Sequence, residues 1–374
     1  MSDLRRRHVL LLGLTPWAAP LRAQPGRWLI GQTSGVTGPV ASGVHENIVG
    51  ATLYFDSVNA EGGVSGRKVE LLTLDDHFEP KLAAENARKL ITEHDAISLF
   101  MSRGTPHTEA IRPLLHQFEI PMVAPSTGAM VLHQPVDPWI FNVRATYQRE
   151  AEKAVAHLTT VGMTRIGIAR VDDSFGADGS EGALRGFAKA QRKPVFEVRF
   201  ARTQPDLQEL VQQALAHDAQ AVIVIASATV VSKGTQALRE AGSLAQIVTL
   251  SNNASGGFVK QMGKYASGTI VTQVFPYERS MTTAFVRQAH ELAQAAKVAE
   301  LTPQMLEGFA GAKVMVEGLK RAGANATRTS LQAALNSLRR FDIGGLEVNY
   351  SPTDHSGLDF ADLSIIGEEG HFRR

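Results

Sequence analysis

The regular alternation of strand and helix patterns most limits what this chain can fold into. In the first third of the chain, short apolar runs are each followed by a stretch with helical periodicity. The runs are WLIGQT, KVELLTL, AISLF and IPMVA, and helices are predicted between them at about residues 45–60, at 80–93 and up to Phe118. Such βαβ alternation is typical of a parallel sheet with helices on both faces.

A second series of the same kind begins near Tyr147. Its strand-like runs are RIGIAR, PVFEVRF, AVIVIA and QIVTL, again separated by helical patterns. The chain has 374 residues, more than one hydrophobic core usually serves, so two domains are expected. We therefore predict an α/β fold made of two doubly wound parallel-sheet lobes.

The alternation ends after the strand GTIVTQVF. Residues 280–338 predict three consecutive helices, and the strands LEVNY and DLSII follow them. These late elements must return to the earlier lobes, so each lobe is discontinuous: residues 24–142 plus 279–344 form the first, and residues 143–278 plus 345–374 the second. The chain then crosses between the lobes three times, near residues 142–145, 275–278 and 341–345. Several crossings at one waist form a hinge, and two lobes on a hinge enclose a cleft.

Residues 1–23 have the pattern of a signal peptide. Three arginines, Arg5, Arg6 and Arg7, precede an apolar segment too short to span a bilayer, and small residues follow it. We expect cleavage after Ala23 and export to the periplasm, by either the twin-arginine or the ordinary secretory route. Cleavage leaves 34 basic and 36 acidic residues, a formal net charge of −2, which does not suggest nucleic-acid binding. The chain has no cysteine, which excludes disulfides, thiol chemistry and a lipoprotein anchor.

Small and hydroxyl-bearing residues follow several of the predicted strands. Ligands bind at the carboxyl ends of strands in open parallel sheets, so these segments are candidate binding loops. In the segment APSTG, Pro125 ends the strand, Ser126 and Thr127 supply hydroxyls, and Gly128 lets a ligand approach the backbone. Together with Thr105 they could hold a carboxylate. The alternative is that these residues merely cap the helices that follow, and spacing alone leaves both interpretations open.

Aromatic and basic residues stand at two of the expected crossings. Arg144 and Tyr147, at the first, could reach a ligand, brace the hinge, or simply belong to a helix start with an exposed arginine. Tyr277 and its neighbour Phe275, at the second, could contact a ligand or pack at the waist. The sequence leaves these alternatives open.

Several segments in order resemble one family. They are TSGVTGPVASG, the stretch from GATLYFDSVNAEGG to AAENARKLI, PMVAPSTGA, FNVRATYQRE, DDSFGADG and GGLEVNYSPTDHSG, and together they extend over nearly the whole mature chain. The chain is similar to the periplasmic branched-chain amino-acid-binding proteins of ABC importers. This resemblance implies a type I periplasmic binding fold, no catalysis, and a membrane permease as partner.

The resemblance also implies roles for particular residues. The family's carboxylate-holding hydroxyl falls on Thr105, and its backbone-and-hydroxyl pair falls on Ser126 and Gly128, with Thr127 as a substitute hydroxyl. Its second-lobe aromatic falls on Phe175. Its ammonium-binding carboxylate falls in LSNNASGG, where this chain has Asn252 and Asn253. An ammonium without a carboxylate would be poorly compensated in a closed cleft, which favours a carboxylate or amide ligand without that group.

Signatures of enzymes do not occur in the sequence. It has no G-x-G-x-x-G, P-loop, H-E-x-x-H or G-x-S-x-G pattern. Asp75, Asp76 and His77 are adjacent residues before a helix start, which favours capping over metal binding. We predict a monomeric solute-binding protein without cofactor or metal. A ligand sensor for a membrane receptor and, less expected, a doubly wound enzyme are the alternatives.

Overall fold

Two sheets organise the computed structural model of this protein, which describes residues 26–374. The predicted signal peptide, residues 1–23, lies outside the described residues. The first sheet has five parallel strands in the spatial order β2-β1-β3-β4-β5. They are β1 (Trp28–Ser34), β2 (Val69–Asp75), β3 (Ser98–Phe100), β4 (Met122–Val123) and β5 (Ile140–Phe141).

The second sheet has seven strands in the order β14-β13-β10-β9-β8-β6-β7. Five of them are parallel, and the last two strands of the chain extend one edge in antiparallel fashion. They are β6 (Ile166–Val171), β7 (Glu197–Phe200), β8 (Ala221–Ile225), β9 (Gln246–Thr249), β10 (Ile270–Gln273), β13 (Asp362–Ile366) and β14 (Phe372–Arg373). The prediction of two doubly wound, mainly parallel lobes is confirmed.

Helices connect the strands on both faces of each sheet. They are α1 (Ala41–Ala60), α2 (Pro80–Thr92), α3 (Thr105–Gln117), α4 (Tyr147–Thr160), α5 (Ser174–Lys189), α6 (Gln208–Ala216), α7 (Ala228–Glu240), α8 (Gly256–Met262), α9 (Ala284–Ala295), α10 (Pro303–Ala322) and α11 (Arg328–Asn336). Local signals set several of their starts. Thr302 caps α10 by accepting the N–H of Met305, and Pro303 follows at a position where no intrahelical donor is needed. Asp173 caps α5 in the same way.

The three consecutive helices predicted after residue 280 are α9, α10 and α11. Helix α10 is buried along most of its length and packs against α1. Two glycines allow this close approach: a Cβ on Gly50 would lie 1.9 Å from the carbonyl oxygen of Met305, and one on Gly308 would lie 2.0 Å from that of Asn47. The late helices therefore complete the core of the first lobe.

The third crossing lies later than the predicted residues 341–345. Strands β11 (Phe341–Asp342) and β12 (Glu347–Val348) form a hairpin, and Val348, Tyr350 and Leu358 are all buried in the first lobe's core. The hydroxyl of Tyr350 also donates to the carbonyl of Asn142. The chain reaches the second sheet only at β13, so the crossing lies between residues 358 and 362. Residues 345–358 belong to the first lobe because their apolar side chains are buried there.

The first two crossings lie near their predicted positions. Ala145 is buried in the first core and Tyr147 in the second, so the chain crosses between them. Strand β10 ends at Gln273, and Val274 is already packed in the first core. Within residues 26–374, no helix combines the length and the apolar character needed to cross a bilayer.

Candidate functional site

A cavity of about 550 Å³, including the part open to solvent, lies between the two lobes. The loops after β1, β2 and β3 line it from the first lobe, and those after β6, β7, β8 and β9 line it from the second. This is the carboxyl-end edge of both sheets, where helix N-termini also converge. Much of the wall is apolar or aromatic, including Val40, Phe78, Val171, Phe175 and Val230. Among the described residues, no aspartate or glutamate lines this cavity.

Arg103, in the loop between β3 and α3, is the main charged group of the cavity. Its side chain is buried, and it donates hydrogen bonds to the hydroxyl of Ser126 at 2.8 Å and to the backbone oxygen of Asn252. Arg103 forms no salt bridge with any residue of the described chain. Burial lowers the pKa of Arg103, because desolvation disfavours the charged form. The cavity therefore contains a buried cation that has no salt-bridge partner within 4.0 Å in the described chain, while the carboxylates of Glu307 and Glu46 act on it from a longer distance.

A second arginine, Arg202, reaches the cavity from the loop after β7. It forms a salt bridge with Asp173, and its guanidinium carbon lies 4.8 Å from the centre of the Phe78 ring. The charge of Arg202 is thus balanced within the protein. Of the two arginines that line the cavity, only Arg103 lacks a salt bridge with a described residue.

The predicted hydroxyl cradle is present but differs in detail. Ser126 holds the guanidinium of Arg103. The hydroxyls of Thr105 and Thr127 are hydrogen-bonded to each other at 2.8 Å, and both residues are fully buried rather than part of the cavity wall. The capping alternative is not observed, because the short helical turn after this segment begins at Met130 and Ala129 precedes it. These hydroxyls support the loop that carries Arg103.

Gly128 lies against the first crossing and not against the cavity. Its carbonyl accepts the N–H of Tyr147 at 2.8 Å, and a Cβ on Gly128 would lie 2.6 Å from the carbonyl oxygen of Ala145. The glycine is therefore needed for close packing of the chain where it leaves the first lobe.

Three of the predicted site residues line the cavity: Tyr147, Phe175 and Asn252. The rings of Tyr147 and Phe175 pack with their centres 4.8 Å apart. Asn252 comes from the segment after β9 and joins the two lobes through Arg103. The structure thus brings Phe175 and Asn252 from the second lobe opposite Arg103 from the first.

Arg144 is placed behind the cavity, where it braces the hinge. It is almost fully buried, forms a salt bridge with Glu150, donates to the hydroxyl of Ser251, and lies 3.8 Å from Glu307 of the first lobe. These two carboxylates raise the pKa of Arg144. Of the interpretations that the sequence left open for Arg144, the structure favours the hinge, because the side chain is buried and not exposed at a helix start.

Tyr277 does not line the cavity. The guanidinium carbon of Arg374 lies 6.0 Å from the centre of its ring, near the C-terminus. The prediction that Tyr277 belongs to the ligand site is therefore corrected. At the second crossing its side chain lies beside Arg374 at the end of the chain.

Sequence reasoning missed both arginines of the cavity. Arg103 lies in the hydroxyl-bearing segment MSRGTPHT after β3, and Arg202 lies shortly after the end of β7. The available signal for both was a basic residue in the loop after a strand that ends at the expected ligand edge.

The lobes also touch beside the cavity. The carboxylate of Glu46, on α1, accepts hydrogen bonds from the backbone N–H groups of Gly256 and Gly257 at the start of α8. Thr302 of the first lobe donates to the same carboxylate. With the bond between Arg103 and Asn252, these contacts define a closed arrangement of the two lobes.

The comparison with known families agrees with this architecture. The periplasmic binding protein family model matches residues 28–359. The chain belongs to the periplasmic binding protein family. The resemblance predicted from the sequence is thereby confirmed, and so is a solute-binding role, because the proteins of this family bind small-molecule ligands.

Solved structures of other periplasmic binding proteins are similar over nearly the full length. A substrate-binding periplasmic protein from Ralstonia solanacearum is 28% identical, with a TM-score of 0.85, over 92% of this chain and 99% of that one. A possible leucine/isoleucine/valine-binding protein from Rhodopirellula baltica is 25% identical, with a TM-score of 0.87, over 96% and 98%. An extracellular ligand-binding receptor from Verminephrobacter eiseniae is 26% identical, with a TM-score of 0.84, over 93% and 100%. The chain shows no significant sequence match to a curated protein.

Proposed function

We propose that this periplasmic binding protein is an exported, monomeric protein of the periplasm that captures a small carboxylate without an ammonium group. It delivers this ligand to the membrane permease of an ABC importer. The observation that supports the proposal is the buried guanidinium of Arg103, which lines the cavity and has no carboxylate partner in the described chain. A ligand carboxylate would supply the direct ion pair that Arg103 lacks.

The buried positive charge of Arg103 favours an anionic ligand over a neutral one. An uncompensated buried charge is costly, and pairing it with hydrogen-bonded charge of opposite sign removes most of this cost. A guanidinium also offers parallel N–H donors that fit the two oxygens of a carboxylate. Because Arg202 is already paired with Asp173, Arg103 is the one cavity-lining arginine without a salt bridge in the described chain. We therefore expect a monocarboxylate.

An ordinary α-amino acid does not fit this wall. Its ammonium would enter a cavity in which no aspartate or glutamate is available among the lining residues. The segment that the resemblance aligns with the family's ammonium-binding carboxylate has Asn252 and Asn253, which provide only neutral amides. The rest of the wall, with Phe78, Phe175 and three valines, is suited to the apolar tail of an aliphatic or aromatic acid.

Binding would act by population shift. The bonds from Arg103 to Asn252 and from Glu46 to Gly256 and Gly257 join the two lobes, so separation of the lobes would break them. A ligand that contacts both lobes stabilises this closed state relative to the open one, and the permease would recognise the closed shape.

Thermal unfolding and calorimetry of the mature protein with matched ligand pairs would test the proposal. The pairs are leucine with isocaproate, phenylalanine with phenylpropionate, and benzamide with benzoate, so that each differs only in the ammonium or the charge. A ligand at about a hundred times its dissociation constant should add about 2.7 kcal/mol to the free energy of unfolding. We expect this stabilisation from at least one of the three acids. Leucine, phenylalanine and benzamide should give none.

Two variants sharpen this test. Arg103→Met should abolish the response to acids, because the counter-ion is lost. Arg149→Met, which removes an arginine that is exposed and lies on α4, should leave it unchanged. Stabilisation by leucine equal to that by isocaproate would contradict the proposal, as would acid binding that survives in Arg103→Met.

A further inference from the structure

The side-chain oxygen of Asn252 has no hydrogen-bond donor. Asn252 lines the cavity and is 7% exposed, and its Oδ1 is buried without a partner. Buried polar atoms are nearly always paired, so an exception in the wall of a binding cavity calls for a partner from the ligand.

The neighbouring hydrogen bonds fix which atom of the amide is the oxygen. The Nδ2 group of Asn252 donates to the carbonyl of Ala226 at 3.0 Å and to Oδ1 of Asn253 at 3.2 Å. Asn253 is itself oriented, because its Nδ2 donates to Ala226 and to the hydroxyl of Thr249. A flipped Asn252 would place its oxygen against two acceptors. Its unpaired atom is therefore an acceptor that needs a donor.

The same residue lies beside the guanidinium. The backbone oxygen of Asn252 accepts a hydrogen bond from Arg103, so the vacant acceptor and the cation occupy neighbouring parts of the cavity. A ligand that satisfies both would carry its donor close to its carboxylate.

We propose that the ligand is a carboxylate with a neutral hydroxyl close to the acid group, as in a 2-hydroxy acid, and that Oδ1 of Asn252 accepts the proton of this hydroxyl. This inference rests on the proposed function and adds the second polar group of the ligand. A neutral amide oxygen satisfies a hydroxyl fully but does not neutralise an ammonium, which matches the absence of acidic residues in the wall. Asn252 is thus a residue that determines specificity.

The test compares 2-hydroxyisocaproate with isocaproate, which differ only in the hydroxyl, by titration calorimetry on the mature protein. A buried acceptor that gains its donor is worth roughly a tenfold change in affinity or more. We expect the hydroxy acid to bind about tenfold more tightly to the wild type. In Asn252→Ala the two acids should bind equally. Ser227→Ala, at another hydroxyl-bearing residue of the wall, should keep the tenfold preference.

Three results would overturn the inference. Equal binding of both acids to the wild type would overturn this inference and leave the carboxylate proposal intact. A preference that survives in Asn252→Ala but vanishes in Ser227→Ala would overturn it by moving the acceptor to Ser227. Failure of both acids to bind would overturn the proposed function and this inference with it. The wild-type comparison needs no variant, so it holds even if Asn252→Ala does not fold.

Discussion

The carboxylate of Glu46 in the first lobe accepts a hydrogen bond from the backbone N–H of Gly257 in the second lobe, at 2.9 Å. The contact places a negative charge at the start of a helix, where the backbone donors are otherwise unpaired. Burial raises the pKa of Glu46, since desolvation outweighs the three hydrogen bonds that it accepts. The bond joins two lobes that are linked covalently only at the hinge, so it reports directly on closure.

The close approach at this contact gives a prediction about closure. A Cβ on Gly257 would lie 2.2 Å from the Cβ of Ser42 across the lobe boundary, whereas one on Gly256 would be 3.5 Å from its nearest neighbour atom. We expect Gly257→Ala to block full closure and weaken ligand binding by about 1–3 kcal/mol, the usual cost of overpacking. Calorimetry with the best ligand checks the affinity, and small-angle scattering checks that ligand no longer compacts the molecule.

Gly256→Ala is the matched control for this prediction. Its added methyl group makes only ordinary contacts with Glu46 and Thr302. It should bind ligand with nearly wild-type affinity, and both variants should remain folded without ligand because the open state separates Gly257 from Ser42. Equal affinities of the two variants would refute the steric argument.

The hinge network gives a prediction about stability. Arg144 is buried between Glu150 and Glu307, and Glu150 also accepts the backbone N–H of Ser251. Arg144→Met would leave two buried carboxylates without their cation, which typically destabilises a protein by about 3–5 kcal/mol. Urea unfolding measures this loss. Arg149→Met removes an exposed ion pair with Asp359 on the same side of the hinge and should change stability by less than about 1 kcal/mol. Similar losses for the two variants would contradict the bracing role of Arg144.

The pH dependence of stability follows from Asp178. This carboxylate accepts hydrogen bonds from the backbone of Met130 and from Gln148, but burial raises its pKa to about 6. The folded state therefore binds the proton more tightly than the unfolded state. Protonation of Asp178 therefore contributes to the free energy of unfolding. This contribution is fully present below the pKa of the unfolded state, about 3.9, and is lost as pH rises through about 6.

Asp178→Asn cannot ionise and should remove this dependence. We expect the wild type to lose about 1–3 kcal/mol relative to Asp178→Asn between pH 4 and pH 7. Urea unfolding of both proteins at several pH values in that window checks the sign. A stability difference that stays constant across the window, or one that changes in the opposite direction, would show that ionisation of Asp178 is not disfavoured by burial.

Most of the fold could be predicted because periodicity reports local structure and burial. Most strands of both sheets and the helices α9 to α11 follow directly from apolar patterns, whereas the two-residue edge strands β5 and β14 were not predicted because they are too short to show a period. The third crossing could not be predicted in the same way. Val348 and Tyr350 have the pattern of buried residues, but a pattern does not say which of two cores buries them.

The candidate site was predicted less completely. The loops at the strand ends were the right region, and Phe175 and Asn252 do line the cavity. The direction of each side chain depends on packing that spacing does not encode, so Thr105 and Thr127 face each other instead. Arg103 was overlooked because arginines in loops are mostly exposed, and only the folded chain shows this one buried.

The late crossing at residues 358–362 has a consequence for biogenesis. The first core needs α9 to α11 and the hairpin that follows, and the second sheet is completed only by β13 and β14 at the end of the chain. A growing polypeptide therefore contains the five parallel strands of the second sheet before the first core can be completed. The first lobe, whose five-stranded sheet lies entirely before residue 142, can complete its core only after the strands β6 to β10 of the other lobe have been made.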